Sequence, residues 1–95
     1  MKLESHEARA AAARAQALRQ ALDNSASQPV NSLIHRVSGA LEGRTAEALE
    51  EQLQGFLKDA RILSEQLGYL QKQLIAYAEK IEWLDRISSQ LIHSN

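Results

Sequence analysis

Three histidines, twelve acidic residues and no cysteine bound the chemistry this 95-residue chain can carry. His6, His35 and His93 lie far apart, and none has a second histidine or a carboxylate at the helical spacing of a familiar zinc site; His35 has only Glu42, seven residues on. Glu50-Glu51 and the group Glu79, Glu82, Asp85 are paired carboxylates by type, but their spacing puts them on the wet side of an amphipathic helix. The four glycines, at 39, 43, 55 and 68, are too scattered to cradle a phosphate. Without cysteine there is no disulfide, thiolate ligand or thiol nucleophile. We therefore expect no catalytic residue, no cofactor, no metal and no small-molecule substrate, and a protein that is not an enzyme.

The elements that position these residues are helical. Hydrophobic residues make up 44% of the chain and aromatic ones 4%, with one proline and long runs of Ala, Leu, Gln, Glu, Lys and Arg. In the second half, apolar residues recur at alternating spacings of three and four: Ala46, Leu49, Leu53, Phe56, Ala60, Leu63, Leu67, Leu70, Leu74, Tyr77, Ile81 and Leu84. Ser88 interrupts the pattern before Leu91. This predicts a helix over about 45–92, on the order of 70 Å long, whose seam must be covered by another helix.

With Leu53 at heptad position a and Phe56 at d, the f positions are Glu51, Lys58, Glu65, Lys72, Glu79 and Arg86, all charged, as the side farthest from a seam should be. The c positions depart from this pattern. Ile62, Tyr69, Ala76 and Trp83 form a second apolar stripe, about 130° round the helix from the seam centre. Two stripes call for two neighbours. A bent first helix or the amino-terminal tail could cover the second, but we expect it to be an intermolecular, partner-binding surface.

The first half repeats the design more weakly, with Ala8, Ala11, Ala15, Leu18 and Leu22 predicting a helix over about 4–23. Asn24-Ser-Ala-Ser-Gln-Pro29 predicts a loop over 24–28, because these residues favour turns and the one before proline is pushed from helical geometry. Val30, Leu33, Ile34, Val37 and Leu41 then give a further helix over about 29–40. Gly39 and Gly43 punctuate the chain, Leu41-Glu42-Gly43-Arg44 is the expected turn, and Thr45 the expected cap of the long helix. The fold expected is a single all-α domain, an antiparallel helical hairpin with coiled-coil heptads that completes a four-helix bundle on dimerisation.

Net charge is −1, which argues against a nucleic-acid partner. Residues 1–44 carry six basic and four acidic side chains, residues 45–95 five and eight, so the arms should attract weakly. No apolar run approaches the ~20 residues of a membrane span, and the amino terminus lacks the apolar core of a signal peptide. We expect a soluble protein without stable membrane insertion, either cytoplasmic or secreted without a cleaved signal peptide.

The turn and its sequel, Gly39-Ala-Leu-Glu-Gly-Arg-Thr-Ala-Glu-Ala-Leu49, resemble the signature region of the WxG-motif proteins of ESX (type VII) secretion, the early-secreted-antigen-like family. Leu41-Glu42-Gly43 stands where that family has Trp-x-Gly, Glu47-Ala48 where it has a Glu-Ala pair, and Phe56 where it often has an aromatic; the likeness covers about residues 30–92. Leu41 replaces the tryptophan. The family's Tyr-x-x-x-Asp/Glu signal is unmatched, since Ile81 follows Tyr77 and Gln73 follows Tyr69. The resemblance implies a small helical protein acting by helix packing, as a homodimer or as partner of another secreted hairpin or effector. The alternative is a cytoplasmic coiled-coil chaperone or assembly component of another secretion apparatus, such as type III. Either way the partner is another helical protein or a second copy.

Overall fold

Pro29 shapes the first arm. It has no N–H to give to the carbonyl of residue 25, and its ring crowds that carbonyl, so a regular α-helix cannot pass through it undisturbed. In the computed structural model, which describes residues 3–40 and 43–93, the chain widens there instead of breaking. α1 (Ser5–Leu22) runs through a π-helical turn, Asp23–Ser27, straight into α2 (Gln28–Ala40). The Gln28 N–H reaches back five residues to the Asp23 carbonyl, the bond that defines the wider turn, and the Gln28 amide donates to Asp23 Oδ2 at 3.3 Å. The loop expected over 24–28 is thus helix, and the first arm is continuous.

α3 (Arg44–His93), 50 residues long, returns antiparallel to it. Its first turn forms one residue earlier than expected. The Gly43 carbonyl accepts the Glu47 N–H at 3.2 Å, so Gly43, and not Thr45, stands at the cap position. Gly43 also has φ +84°, the left-handed conformation that glycine tolerates and that reverses the chain here. Leu41 and Glu42, the first two residues of the expected turn motif, lie outside the described residues. At the other end, the Glu4 carbonyl accepts the Ala8 N–H at 3.0 Å, and Glu7 in the first turn of α1 and Arg19 in the last complement its dipole. Among the described residues only Leu3, Glu4 and Gly43 are not helical.

The hairpin measures 79 × 18 × 16 Å between Cα extremes, with a radius of gyration of 21.7 Å against about 12 Å for a compact domain of this length. Two helices make one layer. Between them the buried residues are mostly alanine: Ala8, Ala12 and Ala15 from α1, and Ala46, Ala60 and Ala78 from α3, with Ile34 and Val37 from α2. Gly68 is buried with them. Alanine and glycine let helix axes approach toward the lower end of the usual 8–10 Å.

The line of contact on α3 differs from the expected a and d seam. The arm-facing residues lie at a and e: Leu53, Leu57, Ala60, Ser64, Leu67, Gln71, Leu74, Ala78 and Ile81 are buried or half-buried, as is Leu49. Phe56, Leu63, Leu70, Tyr77 and Leu84, at d, are exposed. On α1 the contact likewise runs through Ala8, Ala12, Ala15 and Arg19, while Leu18 is exposed. The cause is steric: a narrow alanine arm settles deepest where α3 itself is small, at Ala60, Ser64, Gly68 and Ala78. Leucines at d would hold the arms apart.

Candidate docking surface

Polar ties mark how far along each other the arms lie. Arg9 donates two hydrogen bonds to the Glu82 carboxylate, Nε to Oε2 at 2.9 Å and Nη2 to Oε1 at 2.8 Å. The Gln71 amide donates to Gln16 Oε1 at 3.3 Å, Arg19 Nε to Ser64 Oγ at 3.4 Å, and Ser38 Oγ to Glu50 Oε1 at 2.6 Å. The Arg19 guanidinium lies across Gly68, where a Cβ would come within 2.8 Å of Nη1. Residues 16–19 therefore stand level with residues 64–71.

With the register fixed, helical geometry assigns each stripe a direction. At about 100° per residue, the d line points some 100° to one side of the contact line on α3, and the c line points nearly away from the first arm. Leu18 and Leu33 are both exposed and sit 70–90° from the contact line of their own arm, roughly speaking, in the same rotational sense. In antiparallel right-handed helices, equal rotational senses face the same side. One broad side of the hairpin therefore gathers Leu18 and Leu33 with Phe56, Leu63, Leu70, Tyr77 and Leu84. Phe56 is 52% exposed and Leu70 47%. The opposite side, through Gln54, Lys58, Arg61, Lys72 and Glu79, is polar and exposed.

The c residues occupy the back of α3. Tyr69 is 66% exposed and Trp83 54%; Ile62 and Ala76 are exposed with them, and the first arm covers none of the four. Tyr69 and Trp83 each combine a large apolar body with a polar edge, the composition favoured at the centre of protein interfaces.

Charge plays a small part in this geometry. Hydrogen bonding from Arg9 holds the Glu82 carboxyl below the usual carboxylate range, against an opposing effect of desolvation, and the same bond raises the Arg9 guanidinium. At the amino terminus Glu4, His6 and Glu7 bring their ligand atoms within 4.8 Å of one another, with His6 Nδ1 3.3 Å from Glu4 Oε2. The trio carries no zinc-site spacing in the sequence, because Glu4 precedes the helix; all three side chains are exposed. Among the described residues no helix is long and apolar enough to cross a membrane.

The chain matches no family model, no curated protein and no solved structure. What the surface can do follows from its shape and chemistry. It is long and shallow, with an apolar stripe and open grooves such as that near the amino terminus, where Leu3, Tyr77, Ile81 and Leu84 share the lining with Glu4, Ser5, His6, Lys80 and Asp85. A flat stripe several heptads long offers little enclosure to a small ligand and much to another helix. Leu18 and Leu33 were not legible as part of it, since their spacing reads equally well as inward-facing.

Proposed function

We propose that this protein works by helix packing: its leucine-rich side and the back of α3 take further helices, and assembly is its activity. The observation that carries this reading is an inversion of size. The fully buried apolar side chains of the hairpin are chiefly alanines; the leucines of the contact line are only half-buried, and further leucines with phenylalanine, tyrosine and tryptophan stand in the open. The chain exposes 7575 Å², against roughly 5,500 Å² for a compact monomer of its mass, and the excess is of the order of a specific protein interface. A one-layer hairpin has little core of its own, so a second layer supplies stability as well as specificity.

The setting we favour is type VII secretion, the protein acting as one half of a helical pair or as escort to a secreted effector. The support for it is the sequence Leu41-Glu42-Gly43 with Glu47-Ala48 after it, on a hairpin of suitable length. Two measurements test this reading. Sedimentation of the chain, alone and with proteins encoded beside its gene, should give complexes that Leu63→Gln and Leu70→Gln together dissolve. Export that persists after loss of the type VII ATPase would remove the setting while leaving helix packing in place.

A further inference from the structure

The leucine-rich side is the same on every copy, and its charges and levels match themselves when one copy is turned end for end. We propose that a second copy of this chain fills that side, antiparallel, with the twofold axis level with Leu70. This rests on the helix-packing reading and names the partner.

Two identical antiparallel helices bring residues i and j level when i and j lie equally far from the axis. Any heptad line can be laid on itself in several such registers, so the leucines alone do not choose one. The g positions beside them do. Between residues 52 and 80 this line reads Gln52, Asp59, Gln66, Gln73 and Lys80, with one acidic and one basic residue. Both are exposed. With the axis at Leu70, Asp59 of each copy stands level with Lys80 of the other, to within about one residue's rise of 1.5 Å, and Gln66 stands level with Gln73. Moving the axis half a heptad either way leaves Asp59 facing Gln73 or Ile87, and Lys80 facing Gln52 or Gln66. At the Leu70 axis each aromatic of the d line meets a leucine, Phe56 against Leu84 and Tyr77 against Leu63.

The first arm agrees independently. The ties from Gln16 to Gln71 and from Arg19 to Ser64 put Leu18 level with about residues 65–69, close to Leu70 and on the same side of the hairpin. Leu18, 57% exposed, would thus meet its own counterpart at the axis beside the two Leu70 side chains. The axis also falls near the middle of α3, Arg44–His93, so the two long helices overlap over almost their whole length. The stripe of Tyr69 and Trp83 stays outside this pairing.

Charge reversal tests the arrangement, because Asp59 and Lys80 are exposed and their replacement leaves the hairpin itself undisturbed; circular dichroism checks this. Wild-type chain should sediment as a dimer. Asp59→Lys and Lys80→Asp should each weaken self-association by about tenfold, since each places like charges at two crossings. An equimolar mixture of the two variants should recover wild-type affinity, because both crossings between unlike chains are then opposite in charge. Single variants that associate as well as wild type, or a mixture no tighter than either alone, would overturn the register. A monomeric wild type whose complex with a neighbouring gene product is lost on Leu63→Gln with Leu70→Gln would overturn self-pairing and leave helix packing standing. A monomer with no such complex would overturn both.

Discussion

Between its arms the hairpin buries chiefly alanine, with leucines half-buried beside it; along its open side it carries exposed leucine, phenylalanine and tyrosine. The two lines run the length of the same helix, about 100° apart, and they perform different work. The alanine line sets distance: Ala8 and Ala78 are both 0% exposed, so a larger side chain at either position must push its neighbours aside. The leucine line has area to offer, at roughly 25 cal/mol for each Å² of apolar surface a partner removes from water. A small residue fixes where two backbones meet, and a large one supplies the energy of a meeting elsewhere.

The largest expected effect comes from breaking the first line. Ala78→Leu puts a branched side chain where the arms touch, and overpacking of this kind costs about 1–3 kcal/mol. The loss should appear in thermal melts at every protein concentration, because it acts within one chain. Leu70→Gln is the control from the other line. Its melt should match wild type at high dilution and fall below it only as concentration rises; equal losses for the two variants at high dilution would show that the lines are not distinct.

The sequence made the hairpin legible and concealed which line faces inward. The heptads of α3 announced a long helix, and Gly39 and Gly43 marked the reversal now seen at Gly43, because apolar period and glycine punctuation are local signals. A leucine period says where apolar contact is possible, not which neighbour makes it. The clue lay in the small residues at a, b and e of α3, Ala60, Ser64, Gly68 and Ala78, set against Ala8, Ala12 and Ala15, for only there can the arms come close. The loop expected over 24–28 does not form, for a different reason. Asn24, Ser25 and Ser27 are turn formers, yet a π-helical turn satisfies proline by moving one hydrogen bond a residue back, and nothing in composition separates the two outcomes.

The third apolar line sharpens the contrast further. Trp83→Ala removes a large, half-exposed side chain from the back of α3, so hairpin stability should change by no more than about 0.5 kcal/mol. If a partner docks on that stripe, its affinity should drop by about 2 kcal/mol, as it does for a buried tryptophan anchor. Circular dichroism and sedimentation on the one variant read both quantities. A large loss of melting temperature in the monomer would place Trp83 with the alanine line instead.

A smaller effect is expected where Arg19 crosses α3. Gly68→Ala gains about 1 kcal/mol of helix propensity, offset by moving the Arg19 guanidinium off a Cβ that would lie 2.8 Å from Nη1. The guanidinium is the free end of a long side chain whose one hydrogen bond here, to Ser64, is long at 3.4 Å, so it yields at little cost. The melt should rise slightly. A clear fall would mean that the crossing is rigid and that Arg19 holds the arms in register.

The smallest effect is electrostatic, at the end of the alanine line where Arg9 grips Glu82. The bond lowers the Glu82 carboxyl in the folded chain, so its stabilisation is complete above the ordinary carboxylate range and is lost as pH falls through the depressed folded value. Arg9, raised by the same bond, stays charged throughout, so no matching loss occurs on the alkaline side. Because the other carboxylates titrate over the same range, the melt of wild type alone cannot isolate this pair. The difference between wild type and Glu82→Gln can: it should be small and in favour of wild type near about pH 7, and should shrink toward zero as the pH falls through the depressed folded value. The pair is exposed, so added salt should reduce the difference at neutral pH. A difference that stays constant across the acid range would show that Glu82 contributes through packing against Arg9 rather than through its charge.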